Sequence, residues 1–217
     1  EFQAKLYLLG KDIFFEEIQS DIGGQVFDFF DKFSEYTYLR IGLLGRHQLI
    51  NAATALGVIE ALRLLNIFVP ADAIKKGLAQ TVWPGRFEIT KTNPFIILDG
   101  AQNIASAKEL KETVKKIFGS QEVIVVLGIS QDKDIKGICK ELEPISKTII
   151  LTKADNPRAT EPKNIAEFFK QSKETKITSS VKEALELAKS IAQKTDIILV
   201  SGSLFVVGEA RGLCIKA

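Results

Sequence analysis

The chain has 217 residues, 46% of them hydrophobic, with 29 Lys and Arg against 27 Asp and Glu. That apolar content excludes a disordered chain, and the near balance of charge leaves no basic stripe of the kind that nucleic acid selects. No apolar run approaches bilayer length and no signal-peptide pattern is present, so no membrane partner is expected; the widely spaced Cys139 and Cys214 fit no metal or redox motif and suit a reducing, cytoplasmic setting.

Lys5 to Leu9 reads as a short strand closing on Gly10. Residues 12–18 and 25–42 alternate imperfectly and predict antiparallel strands, with a hairpin turn at Gly23-Gly24. Phe27, Phe29, Phe33, Tyr36, Tyr38 and Ile41 are the expected buried face. A helix follows over Leu49–Leu65, with Ala52, Ala55, Leu56, Ile59, Leu62 and Leu65 recurring at three and four. Its Ala-rich first half can pack very close to another element, and Asn66 suits a helix stop. Pro70 opens a second helix, Ala71–Ala79.

Residues 83–103 read as two short strands joined by a turn, the second of them Phe95–Leu98 ending in Asp99-Gly100-Ala101. Short apolar strands then alternate with amphipathic helices, among them Ile135 to Leu142 and Pro162 to Gln171, to the end of the chain. That alternation predicts an α/β fold with a mostly parallel, helix-covered sheet. The domain boundary is placed near residue 88. Arg86 then falls on one side of the junction and Asp99 on the other.

Few residues carry chemistry by type alone. Arg86 offers a planar fork for phosphate, or equally an ion pair. Asp99 sits where acidic residues accept from ribose hydroxyls, yet Asp-Gly is also common in turns. His47 and Asn51 share a helix face; the amide of Asn51 suits a nucleotide, while both side chains could simply cap the helix. Asp132 and Asp134 follow the next strand, and at least one is expected to cap a helix. Ser203 follows the last strand. No phosphate-cradling G-x-x-x-x-G-K-[ST] loop, Ser-His-Asp set or metal-ligand cluster is present.

Six segments in order, GRHQLINAATAL, WPGRFEI, ILDGAQN, GISQDKDI, TKADNPRA and SGSLFVVGEAR, resemble the folylpolyglutamate synthase/dihydrofolate synthase family of Mur-ligase-like ATP-dependent amide ligases. The resemblance implies that residues 1–87 are the tail of a central ATPase domain. Residues 88–217 would be a complete Rossmann-like C-terminal domain. It implies an acyl phosphate made from ATP on a folate or dihydropteroate carboxylate, then attack by the amine of L-glutamate. Asn51, Arg86 and Asp99 would contact ATP between the domains. Gln102 and Ser203 would lie near the reacting groups. Magnesium would be held by ligands upstream of residue 1, and the full-length enzyme would be a monomer. Gln102 stands where the family has histidine, so it cannot carry a proton charge near neutral pH. Two other readings stay open: a non-catalytic nucleotide-binding or assembly module, and a Mur-type cell-wall amino-acid ligase.

Overall fold

A computed structural model describes residues 5–169 and 174–215. The chain forms two compact units, divided between Val82 and Trp83. That division falls ahead of residue 88, because Gly85, Arg86 and Phe87 bond into the second unit.

The first unit is a three-stranded antiparallel sheet, β1 (Ile13–Asp21), β2 (Gly24–Asp31) and β3 (Glu35–Ile41), in that order. Two helices follow, α1 (Arg46–Ala61) and α2 (Ala71–Ala79). The core joins Phe27, Phe29, Tyr36, Leu39 and Ile41 of the sheet to Leu49, Ala52, Ala53, Leu56 and Ile74 of the helices. The buried stripe of α1 thus takes Ala53 rather than the expected Ala55, which is exposed. A Cβ at Gly57 would overlap Ile13, so the Ala- and Gly-rich helix face does allow close approach to β1.

Further expectations in this unit are corrected. Lys5–Leu9 forms no strand; Leu9 makes only an isolated bridge to Ile13. Phe33, in the turn between β2 and β3, is 36% exposed and Tyr38 is 73% exposed, rather than buried. The β2–β3 register slips between Phe27 and Phe29, Tyr38 takes φ 54°, and its N–H donates to Asp28 Oδ1 at 2.7 Å. This bulge resets the alternation, so Leu39 points inward instead. Finally, α1 with the 3₁₀ turn after it, Arg46–Leu65, is long and apolar enough by length and composition to cross a bilayer. It is a core helix: its apolar stripe packs on the sheet, and it carries the buried Glu60.

Glu60 accepts from Ser34 Oγ at 2.7 Å and Tyr36 OH at 2.6 Å, and pairs with Arg63. Burial pushes its carboxyl up, but these hydrogen bonds outweigh burial and hold it below the ordinary value of 4.5. Its stabilisation is therefore present above the unfolded value and is lost as pH falls through the lower folded value. Replacing Glu60 by Leu strands the Tyr36 hydroxyl and Arg63, and is expected to cost about 2 kcal/mol at pH 7. Urea unfolding across pH 3–7, roughly, checks this, because the deficit should shrink as acid protonates the wild-type carboxyl.

The second unit is the expected α/β fold. Its strands are β4 (Glu88–Thr92), β5 (Phe95–Leu98), β6 (Val123–Leu127), β7 (Ser146–Leu151), β8 (Glu174–Ile177) and β9 (Ile197–Ser201). They form one six-stranded sheet in the order β4-β5-β9-β6-β7-β8. Only β4 runs antiparallel to its neighbour. The helices are α3 (Ile104–Phe118), α4 (Ile135–Leu142), α5 (Pro162–Ala166), α6 (Val181–Ile191) and α7 (Leu204–Ile215). The helix expected over 162–171 is α5 followed by a 3₁₀ turn to Phe169; residues 170–171 lie outside the described residues. Central strands β6 and β9 are buried at every position, as continuous apolar runs in a parallel sheet require. α6 and α7 cover the face carrying Ile96, Leu98, Ile124, Val126, Ile150, Ile198 and Val200. α3, α4 and α5 pack in series against one another on the other face. Cys139 and Cys214 are both buried and unbridged in this unit, and burial pushes the Cys139 thiol up to about 12.

Candidate functional site

β5 and β9 are parallel neighbours, but the chain leaves β5 for α3 on one face and β9 for α7 on the other. Adjacent strands that part in this way open a crevice at their carboxyl ends, the usual ligand position in such sheets. Asp99-Gly100-Ala101-Gln102 follows β5 there, and Gly202-Ser203 follows β9. The two turns are tied: Asp99 N–H donates to Val200 C=O at 3.0 Å, and Gly202 N–H to Ala101 C=O at 3.1 Å.

The loop carrying Arg86 is pinned to the same place. Arg86 lies between Gly85 at φ 71° and Phe87 at φ 45°. A left-handed phenylalanine is strained by about 1–2 kcal/mol, and it persists only because its surroundings hold it. Phe87 is buried, and its N–H donates to Asp99 Oδ2 at 2.9 Å. Ala101 N–H donates to Asp99 Oδ1, also at 2.9 Å. Gly100 N–H donates to Gly85 C=O at 2.9 Å. A Cβ on Gly100 would lie 2.7 Å from Arg86 Nη1 and would overlap Leu204. The half-buried guanidinium therefore rests directly over the turn after β5. Arg86 and Asp99 were expected on opposite sides of a domain junction; they are instead held together within one unit.

Both oxygens of Asp99 accept backbone N–H groups. The turn reading and the site reading thus meet in one residue, which joins the Arg86 loop to the β5 turn. Gln102 is half-buried, and its N–H donates to Ser106 Oγ at 3.1 Å. It is seated by the box in which Asn103 and Ser106 cap α3. Ser203 is buried, and its Oγ accepts from Phe205 N–H at 3.2 Å at the start of α7. Its hydroxyl proton remains able to donate.

The neighbouring rim is built from the loops after β6 and β7, which meet in a bridge between Ser130 and Ala159. Asp134 caps α4 through Gly137 N–H at 2.8 Å. Asp132 instead pairs with Arg158 at 2.9 Å and Lys133 at 3.0 Å; these hold its carboxyl down to about 2. A shallow cleft beside this rim is lined by Ser130, Lys153, Asn156 and Ser203.

In the first unit, α1 begins after Gly45 with no side-chain cap, so neither His47 nor Asn51 caps it. Asn51 is exposed, and its Nδ2 donates to Gln48 Oε1 at 3.2 Å; Gln48 Nε2 lies 3.1 Å from His47 Nε2. Gln25 fixes the preceding loop, donating to Leu43 C=O at 2.7 Å and Gly45 C=O at 3.1 Å. Sequence reasoning passed over the buried Gln25 and Gln48 and the partly exposed Glu88 and Arg211, since a polar side chain with a distant partner leaves no periodic signal. Among the described residues no three His, Cys, Asp or Glu side chains converge. These residues do not by themselves fit a magnesium site.

Residues 85–204 match the family model described as "Mur ligase, glutamate ligase domain". The chain is 30% identical over 189 residues to the dihydrofolate synthase/folylpolyglutamate synthase of Bacillus subtilis, covering 87% of this chain and 44% of that one. Its structure superposes on folylpolyglutamate synthase of Mycobacterium tuberculosis complexed with ADP and AMPPCP, with a TM-score of 0.83 at 27% identity. That match covers 95% of this chain and 48% of the other. It matches E. coli FolC in complex with DHPP and ADP equally well, TM-score 0.83 at 27% identity, over 96% and 47%. The chain thus spans about half the length of the relatives it matches.

Proposed function

Because the chain belongs to the Mur ligase glutamate ligase domain family, we propose that it is the C-terminal part of an ATP-dependent ligase that adds L-glutamate to a folate or dihydropteroate carboxylate. The first unit is then the tail of the central ATPase domain, the full-length enzyme a cytoplasmic monomer. The observation that carries the reading is the clamped Arg86 loop at the β5–β9 crevice.

In this reading a substrate carboxylate oxygen attacks the γ-phosphorus of ATP, and ADP leaves. The glutamate amine then attacks the acyl carbon, the carbon–oxygen bond to phosphate breaks, and the amine proton is lost as the amide forms. Arg86 donates to phosphate oxygens, where a fixed fork opposes the negative charge as it moves. Asp99 keeps that fork in place and lies beside the ribose region. Asn51, exposed on α1, is assigned an amide contact to the nucleotide. Ser203 and the lysine and amide of the adjoining cleft, Lys153 and Asn156, suit the carboxylates of glutamate. Gln102 offers an uncharged hydrogen bond near the transferring group. Magnesium neutralises phosphate charge when bound, through ligands that this reading assigns to the upstream half. The carried-over nucleotide and folate assignments rest on relatives solved with ADP, AMPPCP and DHPP.

ATP-dependent incorporation of labelled glutamate by the full-length ligase tests this. Arg86→Ala is expected to raise the KM for ATP about tenfold or more, with thermal stability unchanged, since one charge-assisted pair carries roughly 1.5–3 kcal/mol. An unchanged ATP dependence would sink the reading. The isolated chain is expected to ligate no glutamate, because positioning of both substrates needs the missing half.

A further inference from the structure

The loop before β4 has a second anchor that the mechanism above does not use. Gly85 N–H donates to Glu88 Oε2 at 2.8 Å. Glu88 is in turn gripped by Arg211, whose Nε lies 2.9 Å from each carboxylate oxygen. Arg211 sits on α7, one turn beyond Val207, so the two share a helix face. Val207 also bears on this loop: a Cβ on Gly85 would come within 2.9 Å of its Cγ1. One face of α7 therefore seats Gly85 twice, by packing and through the Glu88 carboxylate. Gly85 is the residue immediately before Arg86 and takes φ 71°, so its orientation sets where the Arg86 backbone points. Ser203 immediately precedes the same helix, roughly 12 Å from Arg211 along its axis at 1.5 Å per residue.

We propose that Arg211, acting through Glu88 and the Gly85 N–H, is a positioning residue that sets the Arg86 guanidinium over the β5 turn and so governs affinity for the nucleotide phosphate. The proposal rests on the reading of Arg86 given above. The bland alternative is a staple of α7 to β4 with no bearing on Arg86. The two differ in one respect: a staple adds its effect to that of Arg86, whereas a positioning residue acts only while Arg86 is there to be positioned.

The test uses the full-length ligase with Arg86→Ala, Arg211→Ala, the double variant and Arg211→Lys, reading KM for ATP and kcat separately. Arg211→Ala is expected to raise KM for ATP about fivefold to tenfold with kcat within about twofold. The double variant should match Arg86→Ala alone, and Arg211→Lys should recover part of the loss. Multiplying penalties in the double variant, or a normal KM in Arg211→Ala beside a raised one in Arg86→Ala, overturns the proposal and leaves the function standing. No effect from Arg86→Ala removes both. Should Arg211→Ala fail to fold, Arg211→Lys takes its place, with amide exchange read at Gly85. Exchange there should quicken while Val126 in β6 stays protected, and an unchanged Gly85 rate would equally overturn the proposal.

Discussion

Replacing Asp99 by Asn is expected to raise the KM for ATP of the full-length ligase by roughly 10- to 100-fold and to lower the melting temperature of the second unit by a few degrees. The change is isosteric, so the effect comes from hydrogen bonding and the lost negative charge rather than from packing. Two backbone donors, Phe87 N–H and Ala101 N–H, each meet one carboxylate oxygen at 2.9 Å. Asparagine has one acceptor oxygen and one amino group. Whichever way it turns, one buried N–H faces another donor, at a cost of about 1–3 kcal/mol. The Phe87 side fares worst, because that bond also holds a backbone at φ 45°. Released, the loop relaxes and carries Arg86 with it. Amide exchange at Phe87 and ATP titration read the two consequences separately. Loss of ATP affinity with Phe87 exchange unaltered would mean that the carboxylate acts on the nucleotide directly rather than through the loop.

Gly202→Ala is expected to destabilise the second unit by about 3 kcal/mol and to lower its melting temperature by about 10 °C, with loss of ligation. Gly202 takes φ 99°, where a side chain is strained whatever the space around it. Its Cβ would also stand 2.7 Å from Gly128 C=O and 2.7 Å from Leu127 Cδ1. A main-chain oxygen cannot swing away as a side chain can, and Gly128 is fixed by its own N–H bond to Ser201 at 3.3 Å. The β6 and β9 ends would have to part, moving Ser203. Gly208→Ala is the control: nothing lies within 4 Å of its Cβ position. In mid-helix it is expected to stabilise by up to about 1 kcal/mol. Thermal unfolding followed by circular dichroism should move in opposite directions for the two.

The second unit was legible in the sequence because its strands and helices follow two clean periods. FIIL, VIVVL and IILV are unbroken apolar runs, and α4 emerges at Ile135–Leu142 as expected. The first unit was less so. A bulge at Tyr38 shifts the inward face by one residue, and nothing in EYTYLRI marks where the slip falls. Arg86, Asp99 and Ser203 could be picked out as residues at strand ends, but not the bonds between them. That Asp99 would spend both oxygens on backbone donors depends on a loop twelve residues earlier in the chain folding back onto β5. Glu88 and Arg211 stand still further apart in sequence, and neither type of residue announces a partner at that distance.

The two buried thiols give the molecule an internal reporter. Both cysteines of the chain belong to the second unit, Cys139 on α4 and Cys214 on α7, on opposite faces of its sheet. Both are buried in the folded unit, so a maleimide in solution reacts readily only when that face opens. Pulsed labelling followed by mass spectrometry would then time the two faces separately, and the first unit, which contains no thiol, would add nothing to the signal.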